Sequence, residues 1–94
     1  MNVYVDTHTH LCDPQFDADH EAVLKSATDV GVGGIIEIAD NPEEWDRAIA
    51  LARAHPWRMR CSLGLHPYYA DHFDAGFIPR LKAALAAAPE VVAI

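Results

Sequence analysis

The N-terminal segment that decides the fold runs over residues 3–11 as Val3-Tyr4-Val5-Asp6-Thr7-His8-Thr9-His10-Leu11. Its first half is β-branched and aromatic, which predicts a buried β-strand. Alternate residues of a strand point to the same face, so we expect His8 and His10 side by side, with Asp6 one step back. Two imidazoles in this arrangement are suited to one divalent metal ion. The alternative is that they are ordinary polar residues at a strand end.

Predicted helices and strands alternate along the rest of the chain. The strands are the N-terminal segment and residues 35–39, 57–65 and 91–94. The helices begin after caps at Asp17 or Asp19, Asn41, and Asp74, and they end near Val30, by His55 and near Ala88. The order β-α-β-α-β-α-β predicts an α/β fold with a parallel sheet and right-handed crossovers.

The second helix has the clearest start and stop signals. Asn41 is suited to the N-cap, Pro42 to the first helical position and Glu44 to a capping box. Pro56 disfavours a helical conformation at His55 and cannot continue the hydrogen bonding. We therefore expect this helix to end by His55.

The composition is that of a small globular protein. The chain has 94 residues, 51% of them hydrophobic, with 7 basic and 14 acidic side chains. The excess of acidic side chains argues against a broad electrostatic contact with nucleic acid. It does not exclude a phosphate substrate, because bound cations would make the local charge positive.

Cys12 and Cys61 lack CxxC spacing and are expected to be buried thiols. No apolar run approaches membrane-spanning length, and residues 1–5 do not form a signal peptide, so we predict a cytoplasmic protein without membrane contacts.

Three histidines fall at the carboxyl ends of predicted strands. His8 and His10 end the first strand, and His66 follows the third in Gly64-Leu65-His66-Pro67. In parallel α/β folds this edge is where sites are built. His66 is therefore a candidate site residue, with a turn-shaping role before Pro67 as the alternative. Glu37, inside the second strand, is expected to be a polar filler of the interior.

Two motifs carry a resemblance to a known family. Residues 6–11 resemble the D-[TS]-H-x-H-L opening of the TatD-type metal-dependent deoxyribonucleases, and residues 64–67 are similar to that family's G-x-H-P motif. Residues 91–94 resemble the strand that precedes the family's G-E-x-G-L-D motif. The resemblance extends over the whole chain, which covers only the start of the family's sequence.

The resemblance implies a (β/α)8 TIM-type barrel with a two-metal centre that hydrolyses DNA phosphodiester bonds from an end. His8 and His10 would bind the first of two divalent ions, which could be Mg, Mn or Zn. Asp6 would orient a histidine without binding the ion. His66 would be catalytic, near the metals or the substrate phosphate.

We expect residues 1–94 to be the N-terminal part of a single metal-dependent hydrolase barrel domain, ending in the fourth strand. The family's other metal ligands would follow residue 94, so these residues alone are expected to be inactive. Exposed edges of the partial sheet would favour self-association. Two alternatives stay open: a PHP-type phosphoesterase or other amidohydrolase-like hydrolase, and a non-enzymatic small α/β binding module.

Overall fold

The computed structural model describes residues 3–94, which form one four-stranded sheet with the strand order β1-β2-β3-β4. All three strand pairs are parallel. The strands are β1 (Tyr4–Thr9), β2 (Val32–Ala39), β3 (Met59–Leu63) and β4 (Val91–Ala93), and the helices between them are α1 (His20–Asp29), α2 (Trp45–Ala54) and α3 (Phe77–Ala87). This alternation confirms the predicted α/β class and is consistent with part of a (β/α)8 barrel.

Glycines shape the connection from α1 to β2. Gly31 has a φ of 96°, a conformation that favours glycine, and it follows α1, which ends at Asp29, close to the predicted end near Val30. β2 begins directly after it, earlier than the predicted residue 35, and includes Gly33. A Cβ atom on Gly33 would lie 2.7 Å from Cγ1 of Val3. Glycine therefore lets the backbone of β2 lie close to the N-terminal segment.

Asn41 acts as an N-cap, as predicted, but it caps a 3₁₀ turn that precedes α2, and α2 itself begins after Glu44 without a side-chain cap. The Asn41 side chain accepts a hydrogen bond of 3.3 Å from the backbone N–H of Glu43. A 3₁₀ turn over Pro42–Glu44 follows, so the α-helix itself begins at Trp45. His55 terminates the helix, and its backbone N–H donates to the carbonyl of Ala52 at 3.1 Å.

The third strand is shorter than predicted. β3 starts at Met59 rather than residue 57, and Trp57 is 97% exposed. Trp57 lies in a turn after α2, which is closed by a 3.1 Å hydrogen bond from the N–H of Arg58 to the carbonyl of His55. Within the strand the side chains alternate, and one face buries Met59, Cys61 and Leu63.

The third helix lies close to its predicted position. Asp74 precedes it, and its side chain accepts a hydrogen bond of 2.8 Å from the N–H of Gly76. The helix begins at Phe77 and ends at Ala87, against a predicted end near residue 88. Throughout residues 3–94, every helix falls short of the length and apolar character needed to cross a bilayer.

The core lies between the sheet and the helices, with Trp45 at its centre. Trp45 is 1% exposed, and its indole N–H donates to the carbonyl of Gly64 at 3.0 Å. Its ring meets that of Phe77 edge-on at a centroid distance of 5.5 Å. This packing fixes the carboxyl end of β3 against the start of α2.

The prediction that the N-terminal strand is buried is wrong for the described residues. Tyr4 is 57% exposed and Val5 is 60% exposed. The reason is the position of β1, which lies at one outer edge of the sheet with β2 as its neighbour. β4 lies at the other outer edge, where Val92 is 54% exposed.

Candidate metal centre at the carboxyl end of the sheet

His8 and His10 lie side by side at the carboxyl end of β1. Their ring centroids are 5.0 Å apart and the ring planes meet at 77°. Both side chains are exposed. The side-by-side placement expected from the His-x-His spacing is therefore observed, and both residues are exposed to solvent.

The donor set fits part of a metal centre. Imidazole nitrogen is a suitable ligand for divalent transition ions, and this pair supplies two such groups. Within residues 3–94, no three histidine, cysteine, aspartate or glutamate side chains lie close enough together to hold one ion. Catalytic zinc sites usually use three protein ligands, so this pair would supply fewer protein ligands than such a site normally has.

Asp6 contacts the main chain of the histidine motif. Its carboxylate accepts a hydrogen bond of 3.1 Å from the backbone N–H of His8. The pairing of β1 with β2 also changes register between Asp6 and Thr9. Asp6 thus supports the backbone that carries His8, while its predicted effect on a metal-bound ring stays a prediction.

His66 shapes the turn that follows β3, which was the alternative considered for it. Its Nδ1 accepts a hydrogen bond of 3.0 Å from the N–H of Tyr68, at the start of a 3₁₀ segment over Pro67–His72. Its own backbone N–H donates to the carbonyl of Asp40 at 2.8 Å, which ties the ends of β2 and β3 together. The exposed ring remains available for a second role, and the catalytic assignment stays a prediction.

Glu37 is the site-forming residue whose importance the sequence did not reveal. It lies on β2, and its side chain is 0% exposed. Oε1 accepts from the hydroxyl of Thr9 at 2.7 Å and from the N–H of Leu11 at 2.8 Å, and Oε2 accepts from the N–H of Cys12 at 2.6 Å. The available signal was a single acidic residue in an otherwise apolar strand. Its partners precede it by 25 to 28 positions, so the pattern of the strand could not identify them.

An acidic hollow adjoins His10. It has a volume of about 310 Å³, and its lining includes His10, Cys12, Asp40, Glu44 and Tyr69. Burial, together with the nearby Asp40 carboxylate, raises the pKa of Glu44. Burial and then Glu37 raise the pKa of Cys12 to about 12, so its side chain is a neutral thiol at pH 7, as predicted for a buried cysteine.

Comparison with known proteins identifies relatives of the chain. The family model described as TatD related DNase matches residues 5–94. A protein of Erwinia tasmaniensis named 3′-5′ ssDNA/RNA exonuclease TatD is 34% identical over 89 residues, which are 95% of this chain and 34% of that protein. A protein of Escherichia coli strain K12 named uncharacterized metal-dependent hydrolase YjjV is 37% identical over 92 residues, which are 97% of this chain and 35% of that protein. The chain therefore spans about a third of the length of these relatives.

The matched range contains the features from which the resemblance was drawn. Residues 5–94 include the histidine pair, His66 and the helices between them. The motifs and the family match thus agree along nearly the whole chain. On this ground the chain belongs to the family of TatD-related DNases.

Proposed function

We propose that this chain is part of a metal-dependent nuclease that hydrolyses the phosphodiester bonds of DNA from an end. The observation that carries the proposal is the exposed His8–His10 pair at the carboxyl end of β1, in a member of the TatD-related DNase family. The names of two relatives support it, since one is called a single-stranded DNA and RNA exonuclease and the other a metal-dependent hydrolase. The family match favours this function over the PHP-type alternative.

In this proposal His8 and His10 bind one of two divalent ions, which could be Mg, Mn or Zn. When bound, such a pair of ions lowers the pKa of a coordinated water and stabilises negative charge on the phosphoryl oxygens. The strand holds the two rings as neighbours, so little conformational freedom remains to be lost when an ion binds. The described residues offer no third ligand, and we therefore propose that residues 1–94 alone do not hydrolyse DNA.

His66 and Asp6 take supporting roles. Because Nδ1 of His66 accepts from Tyr68, the neutral ring carries its hydrogen on Nε2, and that N–H could donate to a phosphate oxygen. Asp6 holds the backbone of His8 in place through its 3.1 Å hydrogen bond. In this proposal both residues support the carboxyl-end edge of the sheet, where the substrate would bind.

The proposal also covers the domain, the location and the self-association of the chain. Residues 1–94 are taken as the N-terminal part of one barrel domain. The free, buried thiols Cys12 and Cys61 are compatible with the reducing cytoplasm. The outer strands β1 and β4 expose apolar side chains, so the 94 residues by themselves are expected to associate through these edges.

A chimera tests the proposed function. The 94 residues would replace the matched third of the Erwinia tasmaniensis exonuclease, and the product would be assayed on a 3′-labelled single-stranded oligonucleotide with Mg, Mn or Zn. We expect release of labelled nucleotide. We expect this activity to be lost on changing His8 and His10 to alanine but kept in His55→Ala, because His55 lies at the end of α2, away from the candidate site.

Two results would contradict the proposal. Full activity of a chimera that lacks His8 and His10 would show that these two residues are not required as metal ligands. Inactivity of a folded chimera, beside an active parent enzyme, would show that these 94 residues do not supply that family function. It would favour another substrate or the non-enzymatic alternative.

A further inference from the structure

We infer that Glu37 is a positioning residue for the His8–His10 metal site, an inference that rests on the function proposed above. Glu37 lies on β2, whereas the histidines lie on and directly after β1. It acts on the chain that carries His10, through the three hydrogen bonds described above. Nothing in the His-x-His motif itself predicts this contact.

The hydrogen bonds to Glu37 lie on both sides of His10. One donor, the hydroxyl of Thr9, precedes His10, and it is 2.7 Å from the carboxylate. The other two donors are the backbone N–H groups of Leu11 and Cys12, at 2.8 and 2.6 Å. Rotation of the backbone at His10 would therefore break at least one of these bonds.

Burial makes these bonds costly to lose. Glu37 is 0% exposed, and its two backbone donors belong to Leu11 and Cys12, which are 7% and 6% exposed. A buried donor without a partner destabilises a protein, because water cannot replace the lost hydrogen bond. The loop is thus held in one conformation, which fixes the placement of the ring of His10 beside His8.

The same contacts argue against Glu37 as a metal ligand. Oε1 accepts from Thr9 at the end of β1 and from Leu11, and Oε2 accepts from Cys12, so both carboxylate oxygens are already engaged. Direct coordination would require some of these bonds to break inside the core. Glu37 therefore acts through the backbone, in the manner of the hydrogen-bonded residues that orient ligands around many metal sites.

Replacement of Glu37 by glutamine tests the inference on this chain. Glu37→Gln keeps the shape of the side chain, but its amide NH₂ cannot accept a hydrogen bond from Leu11 or Cys12. We expect Ni²⁺ binding, measured by calorimetry at a temperature at which the variant is folded, to weaken by about 10-fold or more. Amide hydrogen exchange at Leu11 and Cys12 should become faster in the absence of the ion.

Two controls separate positioning from general stability. Glu90→Gln is a matched change at the opposite, amino-terminal edge of the sheet, where Glu90 binds Arg53 at 3.0 Å. Met59→Ala opens a cavity at a residue that is 0% exposed and lowers stability without touching the loop. Both folded variants should bind Ni²⁺ as the unchanged chain does.

A conservative pair at Thr9 provides a second test that does not depend on the folding of Glu37→Gln. Thr9→Val removes the hydroxyl that donates to Glu37, and we expect weaker Ni²⁺ binding. Thr9→Ser keeps a hydroxyl at the same position and should preserve the affinity. This difference would show that the hydrogen bond, rather than the shape of the side chain, affects the site.

The possible outcomes distinguish this inference from the proposed function. Unchanged Ni²⁺ affinity in Glu37→Gln, in a chain whose binding depends on His8 and His10, would overturn the positioning role and leave the metal site in place. Equal weakening in Met59→Ala would overturn it as well, since general destabilisation would then explain the effect. If the unchanged chain bound no Ni²⁺ through His8 and His10, the metal site and the role of Glu37 would both be overturned.

Discussion

The backbone N–H of Cys12 donates a 2.6 Å hydrogen bond to the carboxylate of Glu37, which joins the loop after β1 to the middle of β2. The thiol of the same cysteine is held neutral, because burial and the nearby Glu37 raise its pKa to about 12. Cys61 on β3 is also buried, and burial, followed by Glu90 and Glu37, raises its pKa to about 11. Both thiols therefore behave as small core side chains at neutral pH.

The shift at Cys61 predicts a loss of stability in alkali. The pKa is raised from an ordinary value of 9.0 to about 11. In the unfolded chain the thiol ionises first, so above pH 9 the unfolded state binds fewer protons and the free energy of unfolding falls as pH rises. The contribution of Cys61 to the free energy of unfolding is fully present below pH 9 and is lost progressively up to about pH 11. Urea unfolding across this range should show a shallower decline for Cys61→Ala than for the unchanged chain; equal slopes would contradict the shift.

Gly33→Ala should destabilise the sheet. The new Cβ would lie 2.7 Å from Cγ1 of Val3, which is closer than real Cβ contacts allow. The Val3 side chain, which is 68% exposed, would have to rotate away, and this should lower the free energy of unfolding by about 0.5–1.5 kcal/mol. Gly64→Ala is the matched control, because a Cβ there meets no atom within 4 Å. Similar urea midpoints for the two variants would show that the close approach between Gly33 and Val3 does not affect the free energy of unfolding.

The two tryptophans should differ sharply in their contribution to stability. Trp45 is 1% exposed and donates to the carbonyl of Gly64 at 3.0 Å, whereas Trp57 is 97% exposed. Trp45→Phe leaves that carbonyl without its indole donor and should lower the free energy of unfolding by about 1–3 kcal/mol. Trp57→Phe should change it by less than about 0.5 kcal/mol. Chemical unfolding followed by circular dichroism measures both, and a larger effect at Trp57 would contradict the packing described here.

The succession of strands and helices was predictable because it depends on local signals. Gly31 follows the end of α1 with a positive φ, and the Asn41 side chain caps the 3₁₀ turn that leads into α2. Burial was less predictable, since it depends on neighbours distant in sequence. Tyr4 has the residue type of a buried strand, yet β1 lies at the edge of the sheet and leaves it 57% exposed.

The candidate site also has one part that was predictable from local sequence and one part that was not. The spacing of His8 and His10 was sufficient to predict a pair of neighbouring rings, because strand geometry alone places alternate residues together. The role of Glu37 was not predictable, since its hydrogen-bond partners lie at the end of β1 and in the loop after it, 25 to 28 positions earlier. The contact between His66 and Tyr68 supports the turn-shaping role that its position before Pro67 suggested.

The most direct test of the central claim is a titration of this chain with Mn²⁺, followed by NMR of the histidine ring signals. Bound Mn²⁺ broadens the signals of the nearest nuclei. We predict that His8 and His10 lose intensity first and together, and that His55, at the far end of α2, is unaffected at the same ratio of ion to protein. Broadening that is equal at all histidines, or absent at His8 and His10, would contradict the assignment of this pair as metal ligands.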